Sequence, residues 1–270
     1  MAAPPKVQTS HSQLSLDYTR VENEILAFIR KVVSDSGASG AVIGLSGGID
    51  SAVVGALCVR ALGKEKVIAV LMPASHTPVK DVKDARLMAK SWGIKSYEVP
   101  IDRTFDVLSE SVPVGADNKI ANANSKARIR MIILYKVANS LGMLVAGTGD
   151  KSEDILGYFT KYGDGGVDFL PIAHLYKTQV RELGAHLGLP KNVVTKPASP
   201  QLWPGHKATD ELPLDYTELD PVLYGLFESK LSPKEVAKRT GVELQIIEKV
   251  VRMHRSSAHK RVYPPMLRNW

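Results

Sequence analysis

Cysteine and long apolar runs are nearly absent from this sequence. The 270 residues include one cysteine, Cys58, which excludes an intrachain disulfide and a cysteine metal cluster and fits a reducing cytoplasm. No apolar run approaches the roughly 20 residues of a membrane-spanning helix. The N-terminal stretch MAAPPKVQTSHSQLS has no continuous apolar core, so we predict a flexible tail over residues 1–17 rather than a secretory signal.

Charge is not strongly one-sided either. The 35 lysines and arginines exceed the 28 aspartates and glutamates by a net charge of +7, and there is no lysine-rich tail. This modest excess suits a nucleic-acid surface or a site for a small polyanion such as a nucleotide. Composition does not choose between the two.

Apolar patterning predicts strands that alternate with helices. The runs GAVIGL, KVIAVLMPA, KSYEVPI and MLVAGTG are short and β-rich, and segments with helical spacing lie between them. This alternation predicts an α/β fold, a doubly wound parallel sheet, with a helical C-terminal portion. We expect one domain over residues 18–270. The stretches 158–168 and 198–212 are predicted to be long loops, which are often functional.

One glycine-rich stretch, GLSGGIDS over residues 44–51, follows the first predicted strand and begins a helix. Gly47 and Gly48 permit backbone angles closed to other residues, so successive N–H groups can turn toward an anion at the positive end of a helix. The two serines add hydroxyl donors, whereas Asp50 would repel a phosphate unless Mg²⁺ lay between them. The stretch lacks the lysine of the G-x-x-x-x-G-K-[ST] loop. A glycine-rich turn with a helix cap is the simpler alternative.

The string S-G-G-x-D-S resembles the pyrophosphate-binding loop of the ATP-pyrophosphatase superfamily, whose members cleave ATP between its α- and β-phosphates. From about Tyr18 onward the chain resembles one branch, the ammonia-dependent NAD synthetases. The segments that carry this resemblance are NSKARIRMIILY, GTGDKSEDILGYFTKYGDGGVDFLPI, LYKTQVRELGAHLGLP, KPASPQLWPGHKATDELPLDY and SSAHKRVYPP. It implies that ATP adenylates the nicotinate carboxylate of deamido-NAD, and that ammonia then displaces AMP to give NAD, with pyrophosphate as the other product.

The resemblance also implies the residues of the site. The expected catalytic residues are Asp50, Ser46 and Lys177, and the expected Mg²⁺ ligands are Asp50 and Glu153. The implied ATP contacts are Gly44, Leu45, Ser46, Gly47, Gly48, Ile49, Asp50, Ser51, Thr148, Lys177 and Ser199. The implied deamido-NAD contacts are Arg128, with Arg130 as the open alternative, Lys161, Asp168, His259 and Lys260. Singly, each lysine would more often be a solvated surface charge. Asp150, at a variable polar position, receives no role beyond the outer surroundings of the metal.

The resemblance further implies a homodimer with the dinucleotide site at the subunit interface, and loops that order over bound ligands. Glutamine-dependent relatives carry a glutaminase domain with a cysteine nucleophile, for which the 270 residues offer neither room nor a suitable cysteine. Free ammonia is therefore the expected nitrogen donor, and the sequence leaves open a separate partner glutaminase.

Two other functions compete with this interpretation. A tRNA-modifying enzyme of the same superfamily would suit the basic charge, but such enzymes commonly have further cysteines or a zinc motif and an RNA-binding module. A nucleotide-binding regulatory protein would keep the glycine loop, but would have little reason to keep Asp50, Glu153 and the implied dinucleotide contacts together. We therefore expect neither nucleic acid nor a membrane as a partner.

Overall fold

The computed structural model describes residues 14–112, 114–199, 203 and 205–267. Its strands are β1 (Ala41–Gly44), β2 (Val67–Leu71), β3 (Lys95–Glu98) and β4 (Leu144–Ala146). Its α-helices are α1 (Tyr18–Asp35), α2 (Ile49–Leu62), α3 (Val79–Trp92), α4 (Asp102–Ser111), α5 (Lys119–Leu141), α6 (Lys151–Leu156), α7 (Lys177–His186), α8 (Lys191–Val194), α9 (Tyr216–Leu223), α10 (Pro233–Thr240) and α11 (Leu244–Ser256). Among these residues, no helix is long and apolar enough to cross a membrane.

The strands form one parallel sheet in the order β3-β2-β1-β4. In the central strand, Ala41 lies opposite Val67 on one side and Leu144 on the other. The chain adds β2 and β3 on one side of β1 and then places β4 on the other side, so the strand order reverses between β1 and β4. Ligands of open parallel sheets bind beyond the carboxyl ends of the strands at such a reversal. The fold therefore brings the loop after β1 and the segment after β4 to one crevice.

Helices cover both faces of the sheet, which confirms the predicted doubly wound α/β class. Alternate residues of β2 pack on opposite faces of the sheet. Val67, Ala69 and Leu71 join a core with α1, α2, α3 and α7, whereas Ile68 and Val70 pack with residues of α5. Because β2 is buried on both faces, its sequence VIAVL is apolar throughout.

A second core lies among the C-terminal helices α9 to α11. Its buried residues include Leu219 and Leu223 of α9 and Ile247 and Val250 of α11, together with Leu156 at the end of α6. The predicted helical C-terminal portion is therefore present. It is packed against α6, the helix that begins directly beyond β4.

The predicted strands and helices are present with ends shifted by a few residues. Helices α4, α6 and α8 were not predicted from sequence. Helix α4 has no fully buried residue, and Phe105 packs only partly buried beside Ile101 and Ile129. Helices α6 and α8 have six and four residues, too few for a helical period to show.

The chain already packs against the rest of the fold at Leu14, four residues before α1 begins at Tyr18. Residues 1–13 of the predicted tail lie outside the described residues. Leu14 is buried in the second core, and its carbonyl accepts a hydrogen bond from Gln179 Nε2 at 2.8 Å. Asp17 caps α1 by accepting hydrogen bonds from the N–H groups of its first turn. Leu14 therefore packs with the second core, and the extents of the tail over residues 1–17 and of a single domain over residues 18–270 stay predictions.

Candidate active site

The glycine loop joins the carboxyl end of β1 to the first residue of α2. Gly47 has a φ of +81°, and a Cβ added there would lie 2.2 Å from the carbonyl oxygen of Asp81. Both the backbone angle and the available space therefore require glycine. Gly48 is the N-cap residue of α2 and has no side chain to occupy the helix end. Backbone N–H groups at this positive helix end can bind phosphate oxygens.

The two serines of the loop have different environments. Ser51 is 3% exposed, donates to the carbonyl of Gly48 at 3.0 Å and accepts from the N–H of Ser46 at 3.2 Å. Ser46 is exposed, and its hydroxyl accepts from the N–H of Gly48 at 3.2 Å. Ser51 therefore stabilises the loop through hydrogen bonds to its backbone, whereas the hydroxyl of Ser46 is accessible to a ligand.

A buried lysine at the start of α7 lies among three carboxylates. Lys177 Nζ is 2.8 Å from Asp50 Oδ1, 2.8 Å from Asp150 Oδ2 and 2.9 Å from Glu153 Oε1. The side chains of Lys177 and Asp150 are 1% and 0% exposed, whereas those of Asp50 and Glu153 are 24% and 23% exposed. The structure thus brings together Asp50, Glu153 and Lys177, as the sequence analysis expected, and adds Asp150.

The start of α6 fixes two of these carboxylates. Asp150 Oδ1 accepts a hydrogen bond from the N–H of Glu153 at 2.9 Å, and Glu153 Oε2 accepts one from the N–H of Asp150 at 3.4 Å. This reciprocal pair is a capping box. Asp150 is therefore a helix cap as well as a partner of Lys177, a closer role than the sequence analysis gave it.

The cluster holds three carboxylates against one ammonium group. Burial raises the pKa of Asp150, and the charge of Lys177 only partly offsets this. Burial also raises the pKa of Glu153 to about 8, although Lys177 acts in the opposite direction. Burial alone would lower the pKa of Lys177, but the three carboxylates together raise it well above its usual value. Lys177 is therefore a fixed positive charge, and the raised pKa values mean that these carboxyl groups are stabilised by a proton or by a further cation beside them.

The carboxylates fit Mg²⁺ in a site that a ligand would complete. Within the described part of the chain, no group of three or more His, Cys, Asp or Glu side chains is arranged to hold a metal ion by itself. Asp50 Oδ1 and Asp150 Oδ2 are buried oxygens, and the ammonium group of Lys177, 2.8 Å from each, is their described partner. Mg²⁺ is usually held by one or two carboxylates together with substrate phosphates. Asp50 and Glu153 fit that arrangement.

Asp220 of α9 holds the starts of α6 and α7 together. It is fully buried, and its Oδ1 accepts a hydrogen bond from Ser152 Oγ at 2.6 Å. Its Oδ2 accepts from the N–H and the hydroxyl of Thr178 at 2.8 and 2.7 Å. Ser152 Oγ in turn accepts from the N–H of Lys177 at 3.0 Å. One carboxylate therefore sets the spacing between the helices that carry Glu153 and Lys177.

Asp220→Ala is expected to reduce the free energy of unfolding by about 2–5 kcal/mol, because buried donors on Ser152 and Thr178 lose their acceptor. Urea unfolding at pH 7 measures this loss. Asp215→Ala, which removes the exposed N-cap of the same helix, is the matched control and should cost about 1 kcal/mol. A loss at Asp220 no larger than that at Asp215 would show that the buried network contributes little.

Two predicted ATP contacts lie in segments next to this crevice. Thr148 is half-buried between β4 and α6, two residues before Asp150. Ser199 donates a hydrogen bond to the carbonyl of His206. It follows Lys196, whose Nζ lies 2.8 Å from the carbonyl oxygen of Gly47. Contact of Thr148 and Ser199 with ATP stays a prediction.

Predicted dinucleotide contacts lie together where the loop after α6 meets the C-terminal segment. Arg128 Nε and Nη2 donate to the carbonyl of Lys161 at 3.3 and 3.2 Å, and Lys161 Nζ donates to the carbonyl of His259 at 3.0 Å. Arg130 is half-buried, and its Nε donates instead to the carbonyl of Met72 at 3.1 Å. Of the two arginines that the sequence left open, Arg128 is therefore the one placed with the other expected contacts.

A cavity of about 410 Å³ opens beside this group. Lys260, which lines it, donates to the carbonyls of Gly157 and Phe159 at 2.7 Å each and so ties the C-terminal segment to the loop. The rest of the lining combines cationic and aromatic side chains, among them Lys161, Arg261, Phe159, Tyr162 and Tyr263. Such a lining suits an anionic ligand that carries aromatic rings.

Asp168 is not part of this group of contacts. Its Oδ2 accepts a hydrogen bond from the N–H of Val145 in β4 at 2.7 Å, and its Oδ1 accepts one from the hydroxyl of Tyr135 at 2.9 Å. The structure therefore shows Asp168 fastening the loop to the sheet edge, and its predicted contact with deamido-NAD stays a prediction.

Comparison with known proteins decides the family. Residues 21–264 match the family model described as NAD synthase. The chain belongs to the NAD synthase family. It is 46% identical over 254 residues to the NH(3)-dependent NAD(+) synthetase of Staphylothermus marinus, covering 94% of this chain and 92% of that protein. It is 50% identical over 259 residues to the NH(3)-dependent NAD(+) synthetase of Hyperthermus butylicus, covering 95% and 93%.

Solved structures give the same result for the fold of this NAD synthase. The NH3-dependent NAD synthetase from Campylobacter jejuni aligns with a TM-score of 0.80 and 31% identity, covering 94% of this chain and 100% of that one. The NMN synthetase from Francisella tularensis aligns with a TM-score of 0.82 and 30% identity, covering 95% and 100%. The glutamine-dependent NAD+ synthetase from Acinetobacter baumannii aligns with a TM-score of 0.66 and 29% identity, covering 99% of this chain but 48% of that one.

These findings confirm the predicted family, fold type and reaction class, since NAD synthases are ligases that carry out the ATP-dependent amidation of deamido-NAD to NAD. The individual site residues are not tested by the comparisons. Asp220 and Lys196 were not assigned a place in the site from sequence, and Asp150 was placed only in the outer surroundings of the metal.

Proposed function

We propose that this chain makes NAD from deamido-NAD, ATP and ammonia, with the chemistry at the crevice where the glycine loop meets Lys177. The observation that supports this most is the position of Lys177 Nζ, 2.8 Å from Asp50 and 2.9 Å from Glu153, at the end of an anion-binding loop. In the first step, a carboxylate oxygen of deamido-NAD attacks the α-phosphorus of ATP, and pyrophosphate leaves into the loop. In the second, the nitrogen of ammonia attacks the carboxyl carbon and loses one proton, and AMP leaves with one carboxylate oxygen.

The protein's own groups bind and orient the charges of this reaction. The glycine-loop N–H groups and the hydroxyl of Ser46 hold the departing pyrophosphate, and Lys177 supplies a fixed positive charge beside it. Asp50 and Glu153 would hold Mg²⁺ together with phosphate oxygens, and that ion would neutralise charge on the triphosphate. Arg128, Lys161, His259 and Lys260 would hold the dinucleotide around the cavity.

Ammonia is the proposed nitrogen donor. The chain spans the whole length of the NH3-dependent enzyme from Campylobacter jejuni, covering 100% of it, but 48% of the glutamine-dependent enzyme from Acinetobacter baumannii. The part that matches therefore corresponds to the amidating half of the longer protein. A cytoplasmic location stays a prediction.

A homodimer is proposed on the basis of the exposed apolar side chains of α4 and α5. Ile132 on α5 is 60% exposed, and Val107 on α4 is 56% exposed. Arg128, a proposed dinucleotide contact, lies one helical turn before Ile132 on the same face of α5. A second copy that covers this face would therefore also border the dinucleotide site.

Ile132→Asp is expected to convert the dimer to a monomer and to reduce NAD formation, because burying an unpaired carboxylate in the interface is costly. Light scattering after size-exclusion chromatography measures the mass. Leu87→Asp, which changes a 53% exposed leucine on α3, is the matched control and should stay dimeric. An Ile132→Asp protein of unchanged mass would place the interface elsewhere.

Nicotinate mononucleotide is the second candidate substrate, because the chain is similar in structure to an NMN synthetase, with a TM-score of 0.82. We expect deamido-NAD to be preferred, since relatives named NAD(+) synthetases are 46% and 50% identical to the chain. Purified protein given equal amounts of both acids should therefore form mainly NAD.

Labelling the carboxylate oxygens of deamido-NAD with heavy oxygen tests the chemistry itself. One labelled oxygen should appear in AMP for each NAD formed. Unlabelled AMP would rule out the adenylated carboxylate, and preferential formation of NMN would overturn the choice of substrate.

A further inference from the structure

A second charged cluster lies against the glycine loop, apart from the cluster around Lys177. Lys196, in the segment after α8, donates to the carbonyl of Gly47 at 2.8 Å. The same ammonium group donates to Asp81 Oδ1 at 2.6 Å and to Asp84 Oδ2 at 2.8 Å, both on α3. Lys196 therefore joins the glycine loop, α3 and the segment that leads to Ser199.

The carboxylates of this cluster are well buried. Asp81 and Asp84 are 7% and 8% exposed, and Asn192 Nδ2 of α8 donates to Asp84 Oδ1 at 3.1 Å. Although burial acts to lower the pKa of Lys196, these carboxylates raise it above its usual value. The ammonium group is therefore charged at neutral pH, and a charged donor makes the hydrogen bond to the Gly47 carbonyl stronger than a neutral one would.

The direction of one loop peptide depends on this hydrogen bond. The peptide between Gly47 and Gly48 is trans, so its carbonyl and its N–H point in opposite directions. With the carbonyl held on Lys196, the N–H of Gly48 points the other way and meets the exposed hydroxyl of Ser46 at 3.2 Å. A Gly-Gly peptide has little intrinsic preference of its own, and two contacts hold this one: Lys196 on the carbonyl side and Ser46 on the N–H side.

We propose that Lys196 is a positioning residue for phosphate binding, which by holding the Gly47 carbonyl aims the Gly48 N–H and the Ser46 hydroxyl at the phosphates that leave as pyrophosphate. Lys196 makes no contact with the reacting atoms and acts through the loop. The inference rests on the proposed function, since it takes the ATP triphosphate as the ligand of the loop.

The test separates the effect of the hydrogen bond between Lys196 and the Gly47 carbonyl, called the tie below, from the effect of the net charge of the cluster. Asp84→Asn keeps Lys196, its bond to Gly47 and its pairing with Asp81. Lys196→Met combined with Asp84→Asn removes the tie but leaves the cluster with the same net charge as the wild type, one excess negative charge. Lys191→Met, a change at an exposed lysine in the same part of the chain, controls for the loss of a positive charge.

Titration calorimetry with pyrophosphate and Mg²⁺, urea unfolding and steady-state kinetics are measured for each protein. We expect the double variant to bind pyrophosphate about 10- to 100-fold more weakly than both the wild type, whose cluster has the same net charge, and Asp84→Asn, with a matching rise in the KM for ATP. This is the effect expected when a hydrogen bond from a charged group is lost. The KM for deamido-NAD should change by less than about 2-fold, because the dinucleotide contacts lie elsewhere. Lys191→Met should behave as the wild type.

Equal pyrophosphate affinity in Asp84→Asn and the double variant would overturn the inference, as would a uniform loss of affinity for all substrates. If the double variant does not fold, Lys196→Gln with Asp84→Asn takes its place, since the glutamine amide can pair with Asp81 but is one atom too short to span the cluster. A wild-type protein that binds pyrophosphate but forms no NAD would refute the proposed reaction alone, because the calorimetric comparison still tests the role of Lys196. A wild type that does not bind pyrophosphate would overturn the inference.

Discussion

Asp50→Ala is expected to lower NAD formation by at least about 10²–10³-fold, the range found when one group that stabilises transition-state charge is removed. Asp50 is partly exposed in the first turn of α2, where it would hold Mg²⁺ against the triphosphate. The fold should be unaffected. Lys177 keeps Asp150 and Glu153 as partners, and loss of one of three carboxylates around one ammonium group reduces their mutual repulsion.

The measurement is NAD formation with ATP, deamido-NAD and ammonium over a series of Mg²⁺ concentrations, with urea unfolding of the same samples. Asp117→Ala, a change at an exposed aspartate before α5, is the matched control and should leave both quantities unchanged. Full activity of Asp50→Ala with the wild-type dependence on Mg²⁺ would refute the role given to Asp50. Loss of activity together with loss of folding would show that Asp50 is a structural residue.

Lys177→Met is expected to destabilise the protein by about 3–5 kcal/mol at pH 7, the usual cost of breaking a buried ion pair by removing one partner. Lys177 is 1% exposed, and without it Asp150, Asp50 and Glu153 face one another with no counterion. Catalysis should also be lost, because the fixed positive charge beside the phosphates is gone.

The destabilisation of Lys177→Met should depend on pH. In the wild type, burial already raises the pKa of Asp150 above its usual 3.8 and that of Glu153 from 4.5 to about 8, and Lys177 limits both increases. Removing Lys177 raises both pKa values further. A carboxyl group with a raised pKa binds more protons in the folded state than in the unfolded state, so its stability contribution falls as pH rises. The loss relative to wild type should therefore be small near pH 4.5 and grow toward pH 8 and above.

Urea unfolding of both proteins across that range, compared with Lys249→Met at an exposed site on α11, measures the effect. A loss of stability that is constant with pH would show that packing of the lysine chain, and not the pairing of charges, is responsible. A loss that is largest at low pH would contradict the charge assignment of the cluster.

The fold could be predicted from sequence because β1 and β2 are buried on both faces and the long helices have clear ends. Each of these two strands appears as a separate apolar run, as VIAVL does in β2, whereas the edge strand β3, KSYE, is mostly exposed. The helices that were missed are those whose existence depends on a cap or a surface position. Helix α6 is six residues long and begins at the capping box of Asp150 and Glu153, a D-x-x-E spacing that is visible in the sequence but weak without its context.

The site could be predicted only in part, since sequence identifies residues that contact ligands better than residues that hold them. The glycine loop was identified from its own residues, and Lys177 and Glu153 were identified through the family resemblance. Asp220 and Lys196 act on residues far along the chain: Ser152 is 68 positions from Asp220, and Gly47 is 149 positions from Lys196. No local pattern marks such residues, because their contacts are set by the packing of α9 and of the segment after α8.

The central claim is that this chain forms NAD with ammonia through cleavage of ATP between its α- and β-phosphates. Its most direct test is a product assay in which purified protein receives ATP, Mg²⁺ and deamido-NAD with either ammonium or glutamine. We predict NAD, AMP and pyrophosphate in equal amounts with ammonium, and no NAD with glutamine alone. Formation of ADP and phosphate, or an absence of NAD with both nitrogen donors, would contradict it.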